Sequence, residues 1–132
     1  MSRRTAIVDH GDPDLFEVAL RTGGLGAWET DHVAGTRSWT ACGAEIFGLD
    51  VPIGTPIPFG ARDHLREVMH PEDRALLANV HALLMEQDEV EVAYRILHPL
   101  KGLRYIAGRG RVVLRDGTGA PRRVVHIVSD VT

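Results

Sequence analysis

Apolar and polar residues alternate most plainly in the C-terminal third of the chain. Glu89-Val90-Glu91-Val92-Ala93-Tyr94-Arg95-Ile96 repeats at a period of two, the spacing of a strand with one buried face. Leu103 to Leu114 and Arg122 to Val128 read as two more strands, followed by Asp130-Val131-Thr132. The joining segments are His98-Pro99-Leu100-Lys101-Gly102 and Asp116-Gly117-Thr118-Gly119, the second a strong hairpin signal. Upstream the period changes. Asp12-Pro13 starts a short helix in which Leu15, Phe16, Ala19 and Leu20 form an apolar stripe, and Gly23-Gly24 ends it. Leu25 to Asp31 alternates around Trp28, His32 to Gly35 turns, and Thr36 to Trp39 is a second short strand.

Thr40 caps a helix through Gly48 that turns Ile46 and Phe47 inward. Pro52, Gly54, Pro56, Pro58 and Gly60 mark residues 50–60 as loop. Asp63 caps one turn, His64 to Met69. His70-Pro71-Glu72-Asp73-Arg74 then opens an amphipathic helix carrying Leu76, Leu77, Val80, Leu83 and Leu84, with its two acids at the favourable end of the dipole. Strands with short connections pair antiparallel, and the two strand groups meet in one sheet covered by the central helices: an α+β domain over residues 25–132. Residues 12–24 form a flanking helix and residues 1–11 a flexible tail.

Composition narrows the function. The chain has 132 residues, 44% hydrophobic and 25% charged, which is globular and one domain in size. A net charge of −3 gives no electrostatic reason to expect nucleic acid or an anionic membrane. Arg104, Arg109, Arg111, Arg115, Arg122 and Arg123 cluster late, but alternation divides them between faces. The lone Cys42 rules out an internal disulfide and fits a reducing compartment. With no signal peptide and no span-length apolar run, the expected location is cytoplasmic, without membrane insertion.

In order and spacing, several segments together resemble a PAS domain, of the subgroup called PAS fold-3. They are Gly26-Ala27-Trp28-Glu29-Thr30-Asp31, Trp39, Glu45-Ile46-Phe47-Gly48-Leu49, His70-Pro71-Glu72-Asp73-Arg74, Tyr94-Arg95-Ile96, Arg104-Tyr105-Ile106, Gly108-Arg109-Gly110, Asp116 through Gly119 to Pro121, and Asp130-Val131-Thr132. The resemblance implies a five-stranded antiparallel sheet of order 2-1-5-4-3, with helices over one face enclosing a small pocket. It also implies a sensory or dimerisation module that signals to an effector outside this chain, such as a histidine kinase of a two-component system or a cyclic-dinucleotide enzyme.

The candidate chemistry is sparse. No nucleophile elbow, phosphate loop or metal-ligand spacing occurs among the seven histidines, so no catalytic or metal residue is assigned and the chain is not expected to be an enzyme. Cys42 precedes the helix on which the family's light sensors carry their flavin-reactive cysteine, which excludes a covalent flavin switch. His81 alone lies within the long helix where the family's haem sensors use a histidine. Such a border histidine more often packs or reaches solvent, so the cofactor stays unknown. The resemblance puts glycine where this chain has His126. Strand alternation sets Val124, His126 and Val128 on the pocket face, where an imidazole either narrows the pocket, hydrogen-bonds a small polar ligand, or is simply a satisfied core residue. Trp39, Phe47, Leu77 and His81 complete the expected pocket. The opposite face carries Val113, Val125 and Ile127. With Leu15, Phe16, Ala19 and Leu20 it is expected to form a homodimer interface, or the helix covers its own sheet in a monomer. Two alternatives stand beside the sensor: a purely structural dimerisation domain without ligand, and a small cone-shaped α+β enzyme, which would need a buried Asp or Tyr facing the cavity.

Overall fold

The computed structural model describes residues 11–132. The tail expected at 1–11 therefore lies outside the described residues except for Gly11, which already belongs to helix α1 (Gly11–Thr22). Strands β1 (Gly26–Asp31) and β2 (Thr36–Trp39) follow, then α2 (Ala41–Phe47), β3 (Ile57–Pro58) and α3 (His64–Val68). A 3₁₀ turn (Pro71–Asp73), α4 (Leu76–Leu84) and strands β4 (Glu89–His98), β5 (Gly102–Arg115) and β6 (Pro121–Asp130) complete the chain. The strands form one antiparallel sheet of order β3-β2-β1-β6-β5-β4.

Two expectations need correction. The sheet has six strands rather than five. Ile57 and Pro58 pair with Arg37 and Thr36, extending the expected order by a two-residue edge inside the segment read as loop. Proline suits this place because an edge strand tolerates a missing donor. The single helix read from the His70-Pro71 start through Leu84 is also divided. The Asp73 carboxylate accepts from Arg95 backbone N (2.8 Å), Nε (3.0 Å) and Nη2 (2.7 Å). It pins the 3₁₀ turn to β4, and regular helix resumes only at Leu76. The Arg95 guanidinium and these donated hydrogen bonds pull the Asp73 pKa down to about 2.

Local chemistry sets the other joints. Thr40 caps α2 through Gly43 N (3.0 Å), and the Glu17 carboxylate accepts from Ala41 N (2.7 Å) and Cys42 N (3.3 Å). Glu17 thereby ties α1 to the start of α2. Leu20 packs with Ala27 and Cys42 in a small cluster. Gly48 ends α2 at φ 69°, and a Cβ there would sit 2.7 Å from the His98 ring. His98 is buried and satisfied: Nδ1 accepts from Leu100 N and Lys101 N (both 3.1 Å), and Nε2 lies 3.3 Å from Glu45 O. The main core joins Trp28, Trp39, Phe47, Leu65, Met69, Ile96 and Ile106 on one sheet face under the helices. Among the described residues no helix is long and apolar enough to cross a membrane.

Candidate ligand cavity and its electrostatics

Register builds the site. Trp28 stands opposite Trp39 across β1–β2 and opposite His126 across β1–β6. The three rings stack: Trp28 lies 4.9 Å from Trp39 at 26° and 4.7 Å from His126 at 10°. Room for the imidazole comes from β5. Gly110 pairs with His126, and a Cβ at Gly110 would meet the ring at 3.1 Å. The family-like Gly108-Arg109-Gly110 segment and the histidine are thus two sides of one packing solution.

Beyond His126 the inner face opens into a cavity of about 70 Å³. Trp28, Thr30 and Arg37 line it from the sheet together with Tyr94 and His126, and Leu65, Met69, Leu76, Leu77, Val80 and Leu84 from the helical side. Its mouth carries His32 and His81, whose ring centres are 4.6 Å apart. Of the expected pocket residues, His126, Leu77 and His81 line this cavity. Trp39, Phe47, Val124 and Val128 are buried around it without lining it, which corrects their assignment. Val124 packs instead against Val80 and Leu84. His81 is exposed at the rim. Cys42 is buried, and its thiol donates to Glu17 O (3.8 Å), away from the cavity.

The electrostatics are unusual for so small a space. Arg37 is 9% exposed, pairs through Nη1 with Asp63 Oδ1, and lies over the Phe59 ring at 4.3 Å. Burial lowers its pKa against the pull of Asp63. His126 has its pKa pushed down to about 3, first by burial and then by the Arg37 and His32 charges, so the ring is neutral at ordinary pH. It makes no hydrogen bond to the described residues, unlike His98. Burial also pushes the Tyr94 phenol well up, which makes it a poor acid or base near neutral pH. Two buried nitrogens on cavity-lining residues, Trp28 Nε1 and Arg37 Nε, have no partner among the described residues. Sequence reasoning missed Trp28, Thr30 and Arg37 as site residues. The signal was present in the alternation of both strands, since Arg37 shares the inward parity of Trp39.

The cavity wall formed by α4 is held near both ends, since Asp73 pins the turn just before it to β4. Ala75 at its start provides no side-chain cap. Its other end is fixed by Arg115, which donates to Leu84 O (3.0 Å), Gln87 O (3.0 Å), Gly119 O (2.9 Å) and Asp88 Oδ1 (3.1 Å). At the far end of the sheet, Arg104 Nε donates to Asp130 Oδ2 (2.8 Å). Asp130 Oδ1 accepts from Thr132 N (2.9 Å), and Thr132 Oγ1 accepts from Tyr105 N (2.8 Å). The Asp-Val-Thr segment is therefore fastened to β5.

The opposite, outer face is open. Ile127 is 41% exposed, and Val113 is also exposed; with Val125 and Leu25 they line a shallow groove beside Arg109 and Arg111. These arginines pair with Glu89 and Glu91 at 3.3–3.8 Å. On α1, Leu15, Phe16 and Ala19 are exposed, but Leu20 is only 4% exposed. Leu20 is therefore removed from the expected dimer surface, because it is spent on the contact with Ala27 and Cys42.

A sheet of this order with helices over one face and a cavity beneath them defines an α+β domain with a lined internal pocket. A family model described as PAS fold matches residues 57–128, and the chain belongs to that family. It is similar over 89% of its length to a sensory box histidine kinase/response regulator from Burkholderia thailandensis E264, at 26% identity and TM-score 0.69, covering 84% of that chain. It is also similar over 89% of its length to a domain of a putative light and redox sensing histidine kinase from Haloarcula marismortui (21% identity, TM-score 0.66, 99% of that chain). A third likeness is to the N-terminal domain of a diguanylate cyclase with PAS/PAC sensor from Marinobacter aquaeolei (20% identity, TM-score 0.60; 81% of this chain, 94% of that one). Comparison with curated proteins gives no match.

Proposed function

We propose that this PAS domain reads a small molecule in the inner-face cavity and passes the change to an effector outside this chain, of the histidine kinase or cyclic-dinucleotide type. The observation that carries this is the cavity itself, whose lining residues hold buried polar groups with no partner among the described residues. A volume of about 70 Å³ favours a small ligand over a tetrapyrrole. A catalytic role finds little support: Tyr94 faces the cavity with a raised pKa, and no carboxylate is among the described lining residues. In mechanism, α4 is the movable wall. With no side-chain cap at its start, it can tilt between the anchors that Asp73 and Arg115 provide when a ligand fills the space, and occupancy then shifts the population of wall positions. A thermal-shift fragment screen on the wild type and on Leu77→Trp, whose indole fills the cavity, tests this. Fragments should raise the Tm of the wild type and not of the filled variant. Equal shifts in both proteins, or none in either, would overturn the proposal.

A second copy of the chain is the partner we assign to the outer face. One protomer offers two apolar surfaces, Leu15 with Phe16 on α1 and Val113 with Val125 and Ile127 on the sheet. The neighbouring ladder carries both signs of charge, which suits self-pairing about a two-fold axis. Light scattering should give twice the protomer mass, falling to one protomer in Ile127→Asp.

A further inference from the structure

The cavity's charge balance limits what it can hold. Arg37 brings one positive charge into the interior, and Asp63 already neutralises it through the same guanidinium. His126 resists protonation. The partly exposed rim histidines aside, the chamber is electrically balanced, and a second buried negative charge would have no partner. Two donors on lining residues, the indole Nε1–H of Trp28 and the Nε–H of Arg37, are buried and have no acceptor among the described residues. A buried donor left unpaired costs more than an ordinary hydrogen bond contributes, so a molecule that supplies the acceptor gains from satisfying it. The space also sets a size. At about 70 Å³ it is smaller than the roughly 150 Å³ cavity that takes a benzene ring.

From these observations we infer that the cavity selects a small neutral molecule presenting a carbonyl or hydroxyl oxygen to Trp28 and Arg37, rather than an anion or a purely apolar ligand. The inference rests on the ligand-reading role proposed above and adds the chemical class.

Three probes of similar bulk separate the possibilities: acetamide, its anionic isostere acetate, and xenon, which offers no acceptor. Each is titrated into the ¹⁵N-labelled protein at pH 7.5, and the Trp28 indole N–H resonance is followed. Acetamide should shift that resonance downfield and bind about tenfold more tightly than acetate, whose charge must be desolvated without a partner. Trp28→Phe keeps an aromatic ring in the stack and removes the donor. It should weaken acetamide about fivefold and leave xenon unchanged. Acetate binding as tightly as acetamide overturns the neutral class. Xenon binding with no response to acetamide overturns the acceptor requirement while leaving a ligand-accepting cavity. Failure of all three to bind overturns both the inference and the role on which it rests. The titrations on the wild-type protein decide these outcomes even if Trp28→Phe does not fold.

Discussion

His126 and Ile127 are neighbours on β6 and meet opposite surroundings. The His126 ring is stacked on Trp28 at 4.7 Å, held neutral by burial and by Arg37, and set against a cavity. Ile127 lies in a shallow groove, 41% exposed, beside paired arginines and glutamates. Strand alternation makes the division, but the functions follow from what covers each face. On the inner face, helices bury the side chains, and two donors have no partner among the described residues. On the outer face, solvent screens the charges and only apolar area is available for binding.

The largest contrast should be in stability. Trp39→Ala removes the outer member of the ring stack and is expected to cost roughly 3–5 kcal/mol, whereas Ile127→Ala should stay within about 0.5 kcal/mol. Chemical denaturation of the two variants checks this, and equal losses would erase the difference between the faces. The next effect is a pH slope. The folded-state pKa of His126 is depressed to about 3, against about 6.5 when unfolded, so between these values the unfolded state holds the extra proton. Stability should fall as pH drops from about 6.5 toward 3, by about 1.36 kcal/mol per pH unit, and His126→Leu should remove that contribution. Asp73→Asn loosens the 3₁₀ turn from β4 and should cost roughly 2 kcal/mol. Because Asp73 is depressed to about 2, its contribution is complete above about pH 4 and vanishes as pH falls through 2. The smallest stability change belongs to Ile127→Asp, which should abolish self-association and lower the Tm only by the contribution of dimerisation, so that the Tm no longer depends on protein concentration.

The three closing strands were legible because their alternation, turn residues and length agree. Their order in the sheet came from the family resemblance. The edge strand at Ile57–Pro58 was hidden because two pairs of residues leave no periodic trace. The break before α4 was hidden because it depends on Arg95, which is distant in sequence and reaches back to Asp73. At the site, alternation put His126 on the inner face, where it lines the cavity. It could not tell a residue that borders space, as His126 does, from one that fills it, as Val124 and Val128 do. That distinction depends on where α4 sits, which Arg115 and packing decide. Arg37 was overlooked for a related reason: an inward arginine becomes sensible only once Asp63 and Phe59 are known to surround it.

A map of ¹H–¹⁵N shift changes on adding acetamide tests the division between the faces most directly. The account predicts shifts at Trp28, Leu77, Val80, Tyr94 and His126, with Val113 and Ile127 unmoved. Shifts concentrated on the outer groove, or none on the inner face, would contradict it.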